Sequence, residues 1–204
     1  MRENKLTKMK RLLFGLLTTF LSLTVLAQSP VERLGVTACL EFDKTTFKLS
    51  WSDKPNDNYL IQEYLPEGET TAYFKQMLTI HLFITDIKTK DAVKKKVNEL
   101  ILRKKTDSTC NYQVTESPDG KEFLVDFILG ESKNNKMTIV EFNVYRYKQI
   151  QISKKQKAIL IYAYSKRSYG DEITDFFNTL GKDRGKYLNE MISTGLPDIK
   201  IENN

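Results

Sequence analysis
Alternation of apolar and polar positions marks the middle of the chain. Leu78-Thr79-Ile80-His81-Leu82-Phe83-Ile84 sets Leu78, Ile80, Leu82 and Ile84 on one face and Thr79, His81 and Phe83 on the other, the period-two signature of a strand. Tyr59–Leu65 alternates more loosely and stops at Pro66, with Gly68 in the following turn. Thr138–Tyr147 places Val140, Phe142 and Val144 opposite Glu141 and Asn143. Phe123–Leu129 is apolar apart from Asp126, and Ala158–Tyr164 is apolar on both sides, so each predicts a strand covered on two faces. Ser117-Pro118-Asp119-Gly120 supplies turn chemistry between Asn111–Glu116 and the strand from Glu122, and Asn134-Asn135 does the same before Met137. Short turns between successive strands predict an antiparallel meander.

The period changes to that of a helix between Lys90 and Lys105. There Val93, Val97, Leu100 and Ile101 recur on one face and lysines fill the other. A second helix is expected from a cap at Asp171, with Ile173, Phe176, Phe177 and Leu180 inward. Its pattern resumes at Tyr187, Leu188, Met191 and Ile192. Gly181 and Gly185 each cost a helix about 1 kcal/mol relative to Ala, which predicts a break between them. A shorter helix is expected over Thr70–Met77. Strands and helices together predict an α+β class, an antiparallel β-sheet with helices packed on its faces.

The N-terminus has a different character. Five cations and one anion precede Leu12–Ala27, a largely apolar run of 16 residues without a charge. Charged head, short apolar stretch and small terminal residue make a secretory signal peptide over residues 1–27, cleaved after Ala27. The alternative is a retained anchor, although 16 residues fall short of the roughly 20 that span a bilayer. Val36-Thr37-Ala38-Cys39 has the look of a lipobox, but Glu32 and Arg33 separate it from the apolar run. The localisation expected is periplasmic or secreted. Residues 28–204 are then one α+β domain, with loose ends at about 28–35 and 197–204.

Removing the leader changes the charge balance. The whole chain carries 32 Lys+Arg against 26 Asp+Glu; without the leader 27 face 25, a net of +2. Nucleic-acid binding needs several phosphate contacts, and this balance argues against it. Lys94-Lys95-Lys96 and Arg103-Lys104-Lys105, near Asp91, Glu99 and Asp107, read as a solvated helix face. Membrane contact is expected only through an uncleaved leader.

Tyr64-Leu65-Pro66-Glu67-Gly68-Glu69-Thr70, then Met77-Leu78-Thr79-Ile80, a helix ending in Cys110, Ile161-Tyr162-Ala163-Tyr164 and a final helix from Asp171 follow one another. This succession resembles small secreted bacterial proteins of unknown function with a PsbP-like layout. The likeness covers about residues 58–182 and departs from the pattern at Phe74, in place of Trp, and at Asn111, in place of Pro. It implies a PsbP-like sandwich and no activity, because a fold does not settle a function.

Candidate chemistry is sparse. No phosphate loop, dinucleotide fingerprint, metalloprotease helix or hydrolase elbow occurs, and no cofactor or metal is expected. His81 is the single histidine; a Cys–His pairing would activate a thiol, while its mid-strand position suits a structural role. Cys39 and Cys110 are the candidate disulfide in an oxidising compartment, closing a span worth roughly 4 kcal/mol in the loop-entropy model. The competing readings are two separate buried thiols or a reactive thiol. Asp53, Asp57 and Asn58 lack the spacing of a calcium loop, and Glu67-Gly68-Glu69 reads as a solvated turn. Tyr145, Arg146, Tyr147, Tyr162 and Tyr164 are the candidate binding surface, since Tyr and Arg are enriched at interfaces; the competing reading is packing beneath the last helix. The function expected is an exported, non-enzymatic binding or accessory protein of the cell envelope, its partner an envelope or secreted protein. Alternatives are an immunity-type inhibitor, a small-ligand carrier with a pocket between sheet and helix, and a hydrolase using Cys110.

Overall fold
In the computed structural model, residues 30–201 are described. Eight strands run β1 (Cys39–Phe42), β2 (Thr45–Asn56), β3 (Tyr59–Leu65), β4 (Gln76–Ile84), β5 (Asn111–Glu116), β6 (Glu122–Lys133), β7 (Lys136–Gln151) and β8 (Lys157–Tyr169). Helix α1 (Thr89–Arg103) links β4 to β5, and α2 (Ile173–Ser193) follows a 3-10 turn at Gly170–Glu172. The strands form a single sheet in the order β1-β2-β3-β4-β8-β7-β6-β5. Every neighbouring pair is antiparallel. Two four-stranded meanders are thus joined where β4 pairs with β8.

Turn chemistry explains the meanders. Asp43-Lys44 and Asn134-Asn135 both sit at positive φ, the two-residue geometry whose twist matches a hairpin. Gly120 at φ +69° completes the Ser117–Gly120 turn, and Ser117 Oγ donates to Asp119 Oδ1 at 2.7 Å.

Each sheet face buries its own apolar cluster. On one, Leu60, Tyr64, Leu78, Ile80, Leu82, Leu160, Tyr162, Tyr164 and Phe142 meet Ile173, Phe176, Tyr187 and Met191 of α2. On the other, Phe123, Val125, Phe127, Tyr147, Ile159 and Ile161 meet Val93 and Leu100 of α1. Alternation dictates the split: in β4, Leu78, Ile80 and Leu82 go to the α2 face, leaving His81 and Phe83 for the α1 face. Asp126, the one charge within the apolar stretch Phe123–Leu129 of β6, is buried on the α2 face. Arg184 of α2 clamps it with two bonds, 2.8 and 2.9 Å.

Several expectations are corrected. The α+β, PsbP-like sandwich is overturned: the molecule is predominantly β, with helices of only 15 and 21 residues beside strands that reach 16. The sheet is larger than the alternation implied because β6, β7 and β8 run well past their apolar stretches, and because β1 and β2 join it. Thr70–Met77 forms no helix; Thr70 and Tyr73 bridge each other and Gln76 opens β4. Helix α2 runs unbroken through Gly181 and Gly185, and Asp171 lies in the 3-10 turn with no side-chain cap at its end. Ile101, Phe177 and Ile192, expected inward, are exposed. The ends expected to be loose are tied together within the described residues: Leu34 is fully buried, its carbonyl accepts Lys200 N–H at 2.7 Å, and Ile199 and Ile201 pack on its cluster. The leader expected over residues 1–27 lies outside the described residues. No described helix is long and apolar enough to cross a membrane.

Candidate functional site
Helix α1 packs chiefly over β5, β6 and β7. The uncovered strip of that face forms a cleft of about 540 Å³ between the helix and the strands β3, β4, β8 and β7. Its apolar walls come from Phe83, Ile87, Ile159 and Ile161; its polar groups are Tyr59, His81, Tyr145 and Tyr147 from the sheet, Asn56, Asn58 and Thr85 at the strand ends, and Lys95, Lys96 and Glu99 from α1. The size falls within the roughly 300–1,000 Å³ of small-molecule sites.

Strand register brings the sheet residues together. Tyr59 lies opposite Phe83 on the β3–β4 ladder, and their rings stack at 4.3 Å, 2° apart. Tyr59 Oη and His81 Nδ1 are 2.9 Å apart. A phenol is the better donor and an imidazole nitrogen the better acceptor, which assigns the proton of the neutral ring to Nε2. His81 then meets the Tyr145 ring at 6.1 Å, and Tyr145 meets Tyr147 at 6.4 Å. Above them Lys96 Nζ lies 5.4 Å from the centre of the Tyr145 ring and 4.8 Å from that of Phe127, a cation–π arrangement.

Burial sets the protonation states. It pushes His81 down to about 4, with the Lys96 charge acting in the same direction, so the imidazole is neutral at neutral pH. The Tyr145 and Tyr147 hydroxyls are pushed well above the usual phenol range, chiefly by burial, and stay protonated. Neither hydroxyl, nor His81 Nε2, has a hydrogen-bond partner among the described residues. Only Arg33 Nε is both fully enclosed and unpaired there, so these three groups open to the cleft they line.

Next along the same face is a smaller groove, about 220 Å³, which shares His81 and Tyr145 with the cleft. Three of its polar groups, Glu141, Ser165 and Arg167, are tied into one network through Asn143. Ser165 Oγ donates to Asn143 Oδ1 at 2.7 Å, Asn143 Nδ2 to Glu141 at 3.1 Å, and Arg167 Nε to Glu141 at 2.6 Å. Arg167 also lies 4.0 Å over the Phe74 ring. Burial raises the Glu63 carboxyl here, against the pull of Arg167. This network is a structural wall of the cleft.

The candidate surface of Tyr145, Arg146, Tyr147, Tyr162 and Tyr164 is divided by the sheet. Tyr145 and Tyr147 belong to the α1 face. Arg146 pairs across the ladder with Tyr162 on the α2 face, and Tyr164 with Val144. Tyr147, Tyr162 and Tyr164 are almost wholly buried. Arg146 serves the fold: it donates to the carbonyls of Met191, Ile192 and Thr194 at 2.9, 3.2 and 2.8 Å, and pairs with Glu122 at 2.6 Å. That is a cation closing the C-terminus of α2.

The disulfide expectation is corrected too. Cys39 begins β1 and Cys110 precedes β5, at opposite edges of the sheet, and both are free. Seven strand spacings of about 4.8 Å separate those edges, against a Cα limit of about 7 Å for a bridge. Cys110 is buried, its Sγ directed at the Leu100 carbonyl at 3.6 Å, and burial raises its thiol. Four strand spacings, about 19 Å, lie between β4 and β5, so His81 and Cys110 form no dyad. Among the described residues no three His, Cys, Asp or Glu side chains cluster as a metal site requires. Asp57 pairs with Lys54 at 3.1 Å, consistent with a turn.

Sequence reading missed Tyr59, Phe83 and Lys96 as partners of His81. The alternation that put His81 and Phe83 on one face carried half of that signal; the β3–β4 register carried the rest. No curated protein and no solved structure matches the chain. A protein-family model does match, across residues 34–196, and the chain belongs to that family, which is uncharacterised.

Proposed function
We propose that this chain is an exported binding protein that holds a small, largely apolar ligand in the cleft between α1 and the sheet, without turning it over. The observation that carries the reading is a cleft of about 540 Å³ with apolar walls, into which protonated tyrosine hydroxyls and a neutral imidazole open unpaired. These groups are not sealed from water, and in a cleft with apolar walls they are the points at which a ligand's polar end can be fixed. Export rests on the leader pattern of residues 1–27. A binding role is favoured over hydrolysis because the only histidine has no nucleophile beside it. The tyrosines that suggested a protein-docking surface are largely buried, which favours a small ligand over a macromolecular partner.

A neutral naphthylamine fluorophore tests the reading. Its emission is expected to rise on mixing with the protein and to saturate at one site. Ala92→Trp, which fills the cleft from α1, should abolish the rise while the circular dichroism spectrum is retained. No rise, or a rise that Ala92→Trp leaves intact, contradicts the reading.

A further inference from the structure
We infer that the ligand is an apolar carboxylate, its chain or ring lying along Phe83, Ile159 and Ile161 and its head received by Tyr145, Tyr147 and His81 beneath Lys96. The inference rests on the cleft reading above and deepens it. Its basis is the sign of the unpaired groups. Tyr59 occupies Nδ1 of His81, so the open nitrogen, Nε2, is a donor. The hydroxyls of Tyr145 and Tyr147 keep their protons and are donors as well. Tyr147 as a residue is 2% exposed, and its hydroxyl, which makes no hydrogen bond to the described residues, is not fully enclosed. Donors that converge on one space call for an acceptor there.

Charge points the same way. Three ionisable groups of α1 line the cleft, Lys95, Lys96 and Glu99. Glu99 is answered by Lys96 at 3.5 Å, whereas Lys95 has no ion-pair partner among the described residues. One positive charge is left over at the mouth. Across the floor, His81 is uncharged and contributes no repulsion to an anion. An ammonium head could be accepted by the phenol oxygens but would face the charges of Lys95 and Lys96, and an uncharged alcohol would forgo the charge-assisted bonds that carboxylates form. Apolar walls exclude a small hydrophilic anion such as acetate or phosphate as the fitting occupant.

The test is calorimetric titration of the full-length protein with decanoate, decanol and decylamine below their micelle concentrations, with phosphatidylglycerol vesicles as a separate arm. Decanoate is expected to bind at least about tenfold more tightly than decanol, and decylamine more weakly than either. Tyr147→Phe and Lys96→Met should each erase most of that preference. Lys96 is on the helix surface, so its variant reports even if the core variant fails to fold. Equal binding of decanoate and decanol overturns the carboxylate inference and leaves the cleft reading standing. Binding of none of the three overturns both. Sedimentation with the vesicles in the absence of decanoate binding would assign the anion to a lipid surface and overturn the inference.

Discussion

A histidine held neutral in a half-closed site makes stability depend on acid. The His81 value falls from 6.5 to about 4 on folding, so the unfolded chain binds the proton more readily between those limits. The folded state is therefore favoured most above pH 6.5 and loses stability as the pH falls toward 4, by up to about 3 kcal/mol in all. Urea titrations of the protein and of His81→Gln across pH 7 to 4 should diverge by about that amount, with the variant losing less. Superimposed curves would contradict a buried neutral imidazole. Arg146 makes a second residue-level case. Removing it leaves three helix-end carbonyls unanswered and Glu122 with Lys148, 2.8 Å away, as its remaining cation, and Arg146→Ala should cost about 2–4 kcal/mol in urea unfolding. A loss under about 0.5 kcal/mol would mean that water replaces it without penalty. Alternation in β7 already set Arg146 opposite Tyr145 and Tyr147. What the sequence withheld was the register with β8, which places Tyr162 and Tyr164 with Arg146 on the α2 face.

Elements were legible where one period ran long, and misread where local chemistry and packing disagreed. Residues Tyr59–Leu65 and Asn111–Glu116 are strands with the expected bounds. β2 was missed because register shifts between Leu49 and Trp51, and again between Asp53 and Asn56, break its alternation. Gly181 and Gly185 predicted a break that α2 does not show, because Phe176 and Tyr187 bury on either side of them and Arg184 clamps Asp126. A Cβ at either glycine would meet nothing within 4 Å. Gly181→Ala and Gly185→Ala should each stabilise the protein by about 0.5–1 kcal/mol in thermal or urea unfolding; destabilisation would contradict a regular helix there. Gly35 is the opposite case. At φ +67° a Cβ would lie 2.7 Å from both the Lys200 carbonyl oxygen and Cβ. Gly35→Ala should lower stability by about 1–3 kcal/mol through strain and overlap, and a neutral result would mean the two end segments separate without loss.

At the scale of the molecule, the meanders were readable from short turns, but not the β4–β8 pairing that joins them. That pairing spans more than seventy residues of chain and has no local signal. It matters most for function, because it places Ile159 and Ile161 of one meander beside His81 and Phe83 of the other and so makes the floor of the cleft. The position of α1 over β5–β7, which leaves the β4 side open, likewise follows from tertiary packing rather than from its sequence period. The central claim is that this strip of the α1 face is where a ligand sits. It is tested most directly by recording amide and side-chain chemical shifts of the labelled protein while decanoate is added. Changes confined to Tyr59, His81, Phe83, Lys96, Tyr145 and Tyr147, with Tyr164 and Tyr187 across the sheet unmoved, are the predicted result. Changes centred on the α2 face, or no change at saturating decanoate, would contradict it.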